Sequence, residues 1–274
     1  MIPVLFEIGP IKIYSYGLML GIAFLVGSYI LSLELKRKKL DPNMASTITI
    51  LAVVFGISGA KLLYLIEHWT AFLQDPVGMT FSAGGLTWYG GFILALTAVS
   101  LYVQSKKVSF LKLWDGLGVA LVLAYGIGRL GCHLAGDGDY GFPTDLPWGT
   151  NYENGTYPPS KAFAGFPEIT SQYPGGVVPD NTPCHPTPVY EFLLGVAGFF
   201  ILWKLRTRNY PDGKLFMIYL LMASTFRFSI EFLRINPRIL FGLSEAQLFA
   251  AGLFVLGLVG IVYLDRTQPT KSAT

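Results

Sequence analysis

MASTITILAVVFGISGAKLLYLI, residues Met44–Ile66, holds a single charge, Lys61, in 23 positions. A helix rises 1.5 Å per residue, so this run is long enough to cross the roughly 30 Å hydrocarbon core of a bilayer. Outward from it, six further apolar runs stand at about 14–34, 86–104, 111–130, 186–203, 214–233 and 246–264. The 274-residue chain is 52% hydrophobic and 14% charged, where a soluble domain carries about 25% charged residues. Lipid is the solvent these runs fit. The sequence predicts an all-α integral membrane protein, a bundle of about seven transmembrane helices. Residues 1–274 read as a single polytopic membrane domain with one long irregular loop at about 131–184, rich in Gly, Pro, Asn and Tyr.

Charge placement orients the bundle. The loops after the first, third and fifth runs, with the C-terminal tail, hold thirteen Lys and Arg (Lys36 to Lys39, Lys106, Lys107, Lys112, Lys204, Arg206, Arg208, Lys214, Arg266, Lys271). The alternate connections hold four: Lys12, Lys161, Arg234 and Arg238. Basic loops stay cytoplasmic, so the N-terminus is expected outside, the C-terminus inside and the long loop outside. The first run lacks a basic n-region and a small-residue cleavage site, so it is expected to remain as an anchor. A net charge of +3, scattered along the chain, argues against a nucleic-acid surface. Cys132 and Cys184 are too few for a disulfide scaffold, and the sequence leaves open whether they pair.

Ionisable groups inside the runs carry the functional signal, because an Arg at the centre of a lipid-facing helix costs roughly 3 kcal/mol. Arg129 sits in Gly128-Arg129-Leu130-Gly131 at the outer end of the fourth run. Arg227 lies in the outer half of the sixth, one helical turn before Glu231. Lys61 lies in the outer half of the second; Tyr14 and Tyr16 open the first, Tyr89 the third, and His185, Tyr190 and Glu191 the fifth. Terminal aromatic belts and snorkelling side chains are the bland account of Tyr16 and Lys61. An internal ion pair with Glu231 is the bland account of Arg227. Arg129 between glycines suits a bulky anion, and phosphate is the natural anion at headgroup depth. Cys132-His133 and Cys184-His185 lack zinc-site spacing, so no metal is expected.

Taken together, the motifs resemble the prolipoprotein diacylglyceryl transferases. They are Tyr16-Gly17-Leu18-Met19, Gly59-Ala60-Lys61-Leu62, the run Gly84 to Gly91, Gly128-Arg129-Leu130-Gly131, His185 to Glu191, Arg227 to Arg234 and Leu243 to Gln247. The resemblance implies seven spans in the bacterial inner membrane. It implies transfer of the diacylglyceryl group of phosphatidylglycerol to the lipobox cysteine thiol of a prolipoprotein, forming a thioether without cofactor. Arg129 and Arg227 correspond to the arginines that hold the headgroup, and Tyr16 and Glu231 to further motif residues. The chain departs from the family pattern at Cys132, which replaces an Asn, at Tyr89, which stands where many members have His, and at Lys61, often Arg. Asp137 stands about where a signature Glu falls, in a segment one residue longer.

Chemically, the acceptor supplies its own nucleophile, so the enzyme needs none. Arg129 and Arg227 are the candidate electrophilic groups, with Tyr89 and Glu231 as further catalytic candidates. Tyr16, Lys61, Gly131, Asp137 and His185 are the remaining candidate substrate contacts. Tyr89, His133, His185 and Asp137 are left as candidate proton acceptors. A seven-helix carrier of anionic solutes and a non-catalytic lipid-binding paralogue are the alternatives. Almost purely apolar inner helix halves count against the first, and the retained arginines against the second.

Overall fold

The computed structural model describes residues 1–267 apart from Pro10 and Ala83; Lys271 of the basic tail lies outside the described residues. The helices are α1 (Ser15–Arg37), α2 (Met44–Glu67), α3 (Trp69–Gln74), α4 (Pro76–Phe81), α5 (Trp88–Ser105) and α6 (Phe110–Ala135). They continue as α7 (Pro159–Ala162), α8 (Pro167–Thr170), α9 (Thr187–Leu205), α10 (Lys214–Ile230) and α11 (Glu245–Thr267). Every apolar run of the sequence is a helix. Six of them, α1, α2, α6, α9, α10 to Leu233, and α11, are long and apolar enough to cross a membrane. The remaining run forms α5, 18 residues long, whose Trp88-Tyr89-Gly90-Gly91 start and Gln104-Ser105 end dilute its apolar stretch. Large apolar side chains such as Leu25, Phe200 and Tyr263 remain exposed on the helices, as lipid-facing residues do.

The chain packs as two compact units. In the unit Ser28–Leu113, α2 lies against α5 at a backbone-to-backbone approach. A Cβ at Gly59 would strike the Gly90 carbonyl, and one at Gly90 the Gly59 carbonyl. Only glycine permits that separation. Lys61 points from α2 into the turn after α4 and donates to the carbonyls of Met79 at 3.2 Å, Ser82 at 3.0 Å and Gly84 at 2.7 Å.

The other unit joins Met1–Gly27 to the chain from Trp114 onward. Here the buried Asp115 carboxylate of α6 accepts the N–H groups of Gly213 and Phe216, each at 3.0 Å, and so caps the start of α10. α6 runs to Ala135, five residues past the predicted end, and stops where Gly136 takes φ +59 and donates to the Cys132 carbonyl at 2.9 Å. Three two-stranded antiparallel ribbons complete this unit: β1 (Val4–Ile8) with β2 (Ile11–Tyr14), β3 (Thr150–Asn151) with β4 (Pro183–Cys184), and β5 (Arg238–Leu240) with β6 (Leu243–Ser244). The long loop is irregular in backbone but closely packed. Tyr140, Tyr152, Phe163, Val178 and Cys184 form its core, with Tyr140 stacked on Tyr152 at 4.1 Å between centroids. Cys132 and Cys184 are both free thiols.

Candidate active site

α6, α9 and α10 each bring one charged side chain to the same place. Arg129, near the C-terminal end of α6, donates through Nε to the Tyr125 hydroxyl one turn earlier at 3.0 Å. That hydroxyl donates in turn to Glu191 Oε1 at 2.5 Å. Glu191, on the first turns of α9, is a hub: Arg129 Nε lies 3.2 Å from its Oε2, Arg227 Nη1 3.0 Å from its Oε1 and Arg234 Nη1 3.2 Å from its Oε2. Arg227, on the last turn of α10, also reaches Glu231 Oε2 at 3.0 Å through Nη2. Asp139, in the loop after α6, pairs with both Arg129 and Arg234.

The cluster thus holds three guanidiniums against three carboxylates, Asp139, Glu191 and Glu231. Glu231 is wholly buried, at 0% side-chain exposure, and Glu191 and Arg234 nearly so, at 3% and 6%. Buried charges of this kind are tolerated only when paired. Glu231 also takes the Asn236 amide at 2.5 Å and the Ser244 hydroxyl at 2.8 Å, so it ties the segment after α10 to β6. Arg238 extends the network to Gln247 at 2.6 Å. Arg129 and Arg227 differ from Arg234 in being partly open, at 17% and 25%. The ion pairs of Arg129 use Nε and Nη1, those of Arg227 Nη1 and Nη2, and a guanidinium carries five N–H donors, so each has donors to spare for an anion.

Beside Arg129 stand Tyr16 and Gly131. A Cβ at Gly131 would lie 3.3 Å from the Tyr16 Cα and 3.1 Å from the Met19 Cβ, so the glycine lets the start of α1 rest on α6. Tyr16 is within electrostatic reach of Cys132, Asp137, Arg129 and Asp139. The two aspartates of the loop behave differently. At Asp139 burial disfavours charge, but Arg234 and Arg129 outweigh it and hold the carboxyl below the usual range. At Asp137 burial and then the Asp139 charge push the carboxyl above it. Cys132 Sγ and one oxygen of each aspartate lie within 4.8 Å of one another. Those are donor types that can bind a cation, yet Asp139 is already committed to two guanidiniums, whose charge opposes a metal there.

The remaining residues singled out in the sequence have partners of their own. His185 turns its Nδ1 to the Tyr190 hydroxyl at 3.4 Å, and that hydroxyl accepts the Trp148 indole N–H at 2.8 Å. His133 Nδ1 is 3.0 Å from the Tyr152 hydroxyl. Lys61 and Tyr89 belong to the other unit. Lys61 is engaged by the turn carbonyls, and the Tyr89 ring sits edge-on to Trp88 at 5.3 Å. Sequence reasoning placed a carboxylate at Asp137, but Asp139 is the one that meets the arginines, and it singled out neither Arg234 nor the hub position of Glu191. The segment Gly136 to Tyr140 turns twice at positive φ, at Gly136 and Gly138, and these glycines were the available signal for where it bends.

The sequence profile of the family described as prolipoprotein diacylglyceryl transferase matches residues 3–263. A phosphatidylglycerol–prolipoprotein diacylglyceryl transferase of Clostridium tetani is 32% identical over 239 residues, covering 87% of each chain. One from Parasynechococcus marenigrum is 31% identical, covering 97% of this chain and 95% of its own. A relative from Clostridium perfringens, the second such transferase of that name, is 31% identical over 98% and 97% of the two chains.

Proposed function

The chain belongs to the prolipoprotein diacylglyceryl transferase family, and from that premise we propose how its arginine cluster performs the reaction. The protein is a multi-pass membrane enzyme that transfers the diacylglyceryl group of phosphatidylglycerol to prolipoproteins. In our reading the acceptor is the thiol of a lipobox cysteine, the product a thioether and the leaving group glycerol phosphate. Arg129 and Arg227 hold the phosphate. They place planar N–H pairs on its oxygens and stabilise the charge that grows on the bridging oxygen as the carbon–oxygen bond breaks. Arg234, Glu191 and Glu231 orient those two arginines. Tyr16 and Gly131 line the same place, and Lys61 fixes the turn after α4. His185 belongs to the rim, with Tyr190 and Trp148.

The observation that carries this reading is the exposure difference. Arg129 and Arg227 stay 17% and 25% open, whereas Arg234, the third guanidinium paired with the same carboxylates, is 6% open. Partly open guanidiniums at headgroup depth leave N–H donors for a phosphate, which supports the clamp. The location follows from the basic loops: we assign the protein to the bacterial inner membrane, with the N-terminus and the long loop outside and the C-terminus cytoplasmic. The seven helices form one membrane domain in this assignment.

Replacing Arg129 or Arg227 by Lys tests the clamp. Lysine keeps the charge but loses two-point donation. Each variant should transfer at least about tenfold more slowly, about 1.4 kcal/mol of transition-state stabilisation. Wild-type rates in both would remove the clamp.

A further inference from the structure

We propose that Asp137 is the general base of the transfer, accepting the proton of the incoming thiol as its sulfur attacks the glyceryl carbon. The inference rests on the transferase reading above. The bonds balance as follows. The S–H bond breaks and its proton goes to an Asp137 carboxylate oxygen. An S–C bond forms at the glyceryl carbon, and the bond from that carbon to the phosphate oxygen breaks. Its electron pair leaves with glycerol phosphate, and Asp137 later gives the proton to water.

Two carboxylates whose oxygens lie within 4.8 Å of Cys132 Sγ and of each other stand beside Arg129. They have divided the work. Asp139 is pinned by Arg129 and Arg234 and stays ionised. Among the described residues Asp137 takes part in no such pair: its Oδ1 accepts the Asp139 N–H at 3.2 Å, and one of its oxygens lies within 4.8 Å of the Cys132 sulfur. A carboxylate has about four acceptor positions, so room for an S–H donor remains. The Cys132 sulfur within 4.8 Å shows that a thiol fits beside this carboxylate. The titratable groups within electrostatic reach of it are Tyr16 from α1, Arg129 and Cys132 from α6, and Asp139, Tyr140 and Tyr152 from the loop.

The environment suits the task. Two neighbouring carboxyls pushed apart in pKa mark an acid–base assignment. Here burial and the Asp139 charge raise Asp137 toward the working pH, where a base is most effective. The candidate histidines are engaged elsewhere, His133 with Tyr152 and His185 with Tyr190.

The test is Asp137→Asn in the purified full-length enzyme, with labelled phosphatidylglycerol in lipid nanodiscs and a lipobox peptide as acceptor. An Asn oxygen still accepts the Asp139 N–H, so the turn is kept while basicity is lost. Base action requires the carboxylate, so wild-type kcat should fall as pH drops through the raised Asp137 pKa. The Asn variant should lose about 100-fold near pH 7 and recover as pH approaches the thiol pKa of about 8.5, where thiolate forms unaided. Asp137→Glu should restore part of the neutral rate. An Asn variant within about threefold of wild type, with the same acid limb, overturns the proposal. So does an equal loss at every pH that Glu does not relieve, which is the mark of a structural role. Wild-type enzyme that moves no label overturns the transferase reading instead, whatever the variants do.

Discussion

Tyr89 opens α5 with its ring edge-on to Trp88, at a position where many family members have His. A phenol with a pKa near 10 is almost wholly protonated at neutral pH, so it suits hydrogen bonding better than proton abstraction. Tyr89→Phe should therefore cost only what a neutral hydrogen bond contributes, about 0.5 to 1.5 kcal/mol in transfer, with little dependence on pH. A pH–rate profile of the Phe variant checks this. A large loss confined to low pH would return Tyr89 to the role of base. At this scale a charge that had to be explained against lipid was a useful signal but an uneven one: it picked out Arg129, Arg227 and Glu231, which share the cluster, and equally Lys61, which is held by the carbonyls of a turn. It did not pick out Arg234 and Asp139. They sit just beyond the ends of α10 and α6, where a charge needs no explanation, and only the fold of the intervening chain brings them onto Glu191 and Arg129.

The helices were legible to within a few residues, because an apolar run in lipid must satisfy its backbone internally. What the pattern could not give was the end of α6. Apolarity fades near Leu130, but the helix continues until Gly136 offers a left-handed turn. Those extra residues put Cys132 on the helix beside the aspartates. The long loop was legible only as irregular; its aromatic core depends on pairings across dozens of residues, as in Tyr140 on Tyr152. Phe163 is fully buried in that core. Phe163→Ala should cost about 3 to 5 kcal/mol locally. Limited proteolysis reads it: the variant loop should be cut faster while the helices survive, and an unchanged cleavage rate would show that the ring bears no load.

At the scale of the molecule, the asymmetry of basic residues and the position of the cluster make one joint claim. Arg129, Asp139, Glu191, Arg227 and Arg234 gather at the C-terminal ends of α6 and α10 and the N-terminal end of α9. In an alternating bundle these ends share one face, and the basic loops lie at the opposite ends of the same helices. The enzyme should accordingly modify its protein substrate on the outer side, after export has exposed the acceptor cysteine there. The direct measurement uses sealed vesicles of known sidedness, holding the protein and phosphatidylglycerol labelled in its glyceride carbons, with a membrane-impermeant lipobox peptide added from outside. Right-side-out vesicles should place label on the peptide in a linkage that survives ester hydrolysis, and inverted vesicles should place almost none. No labelled peptide in either preparation, or labelling only in the inverted one, would contradict the account.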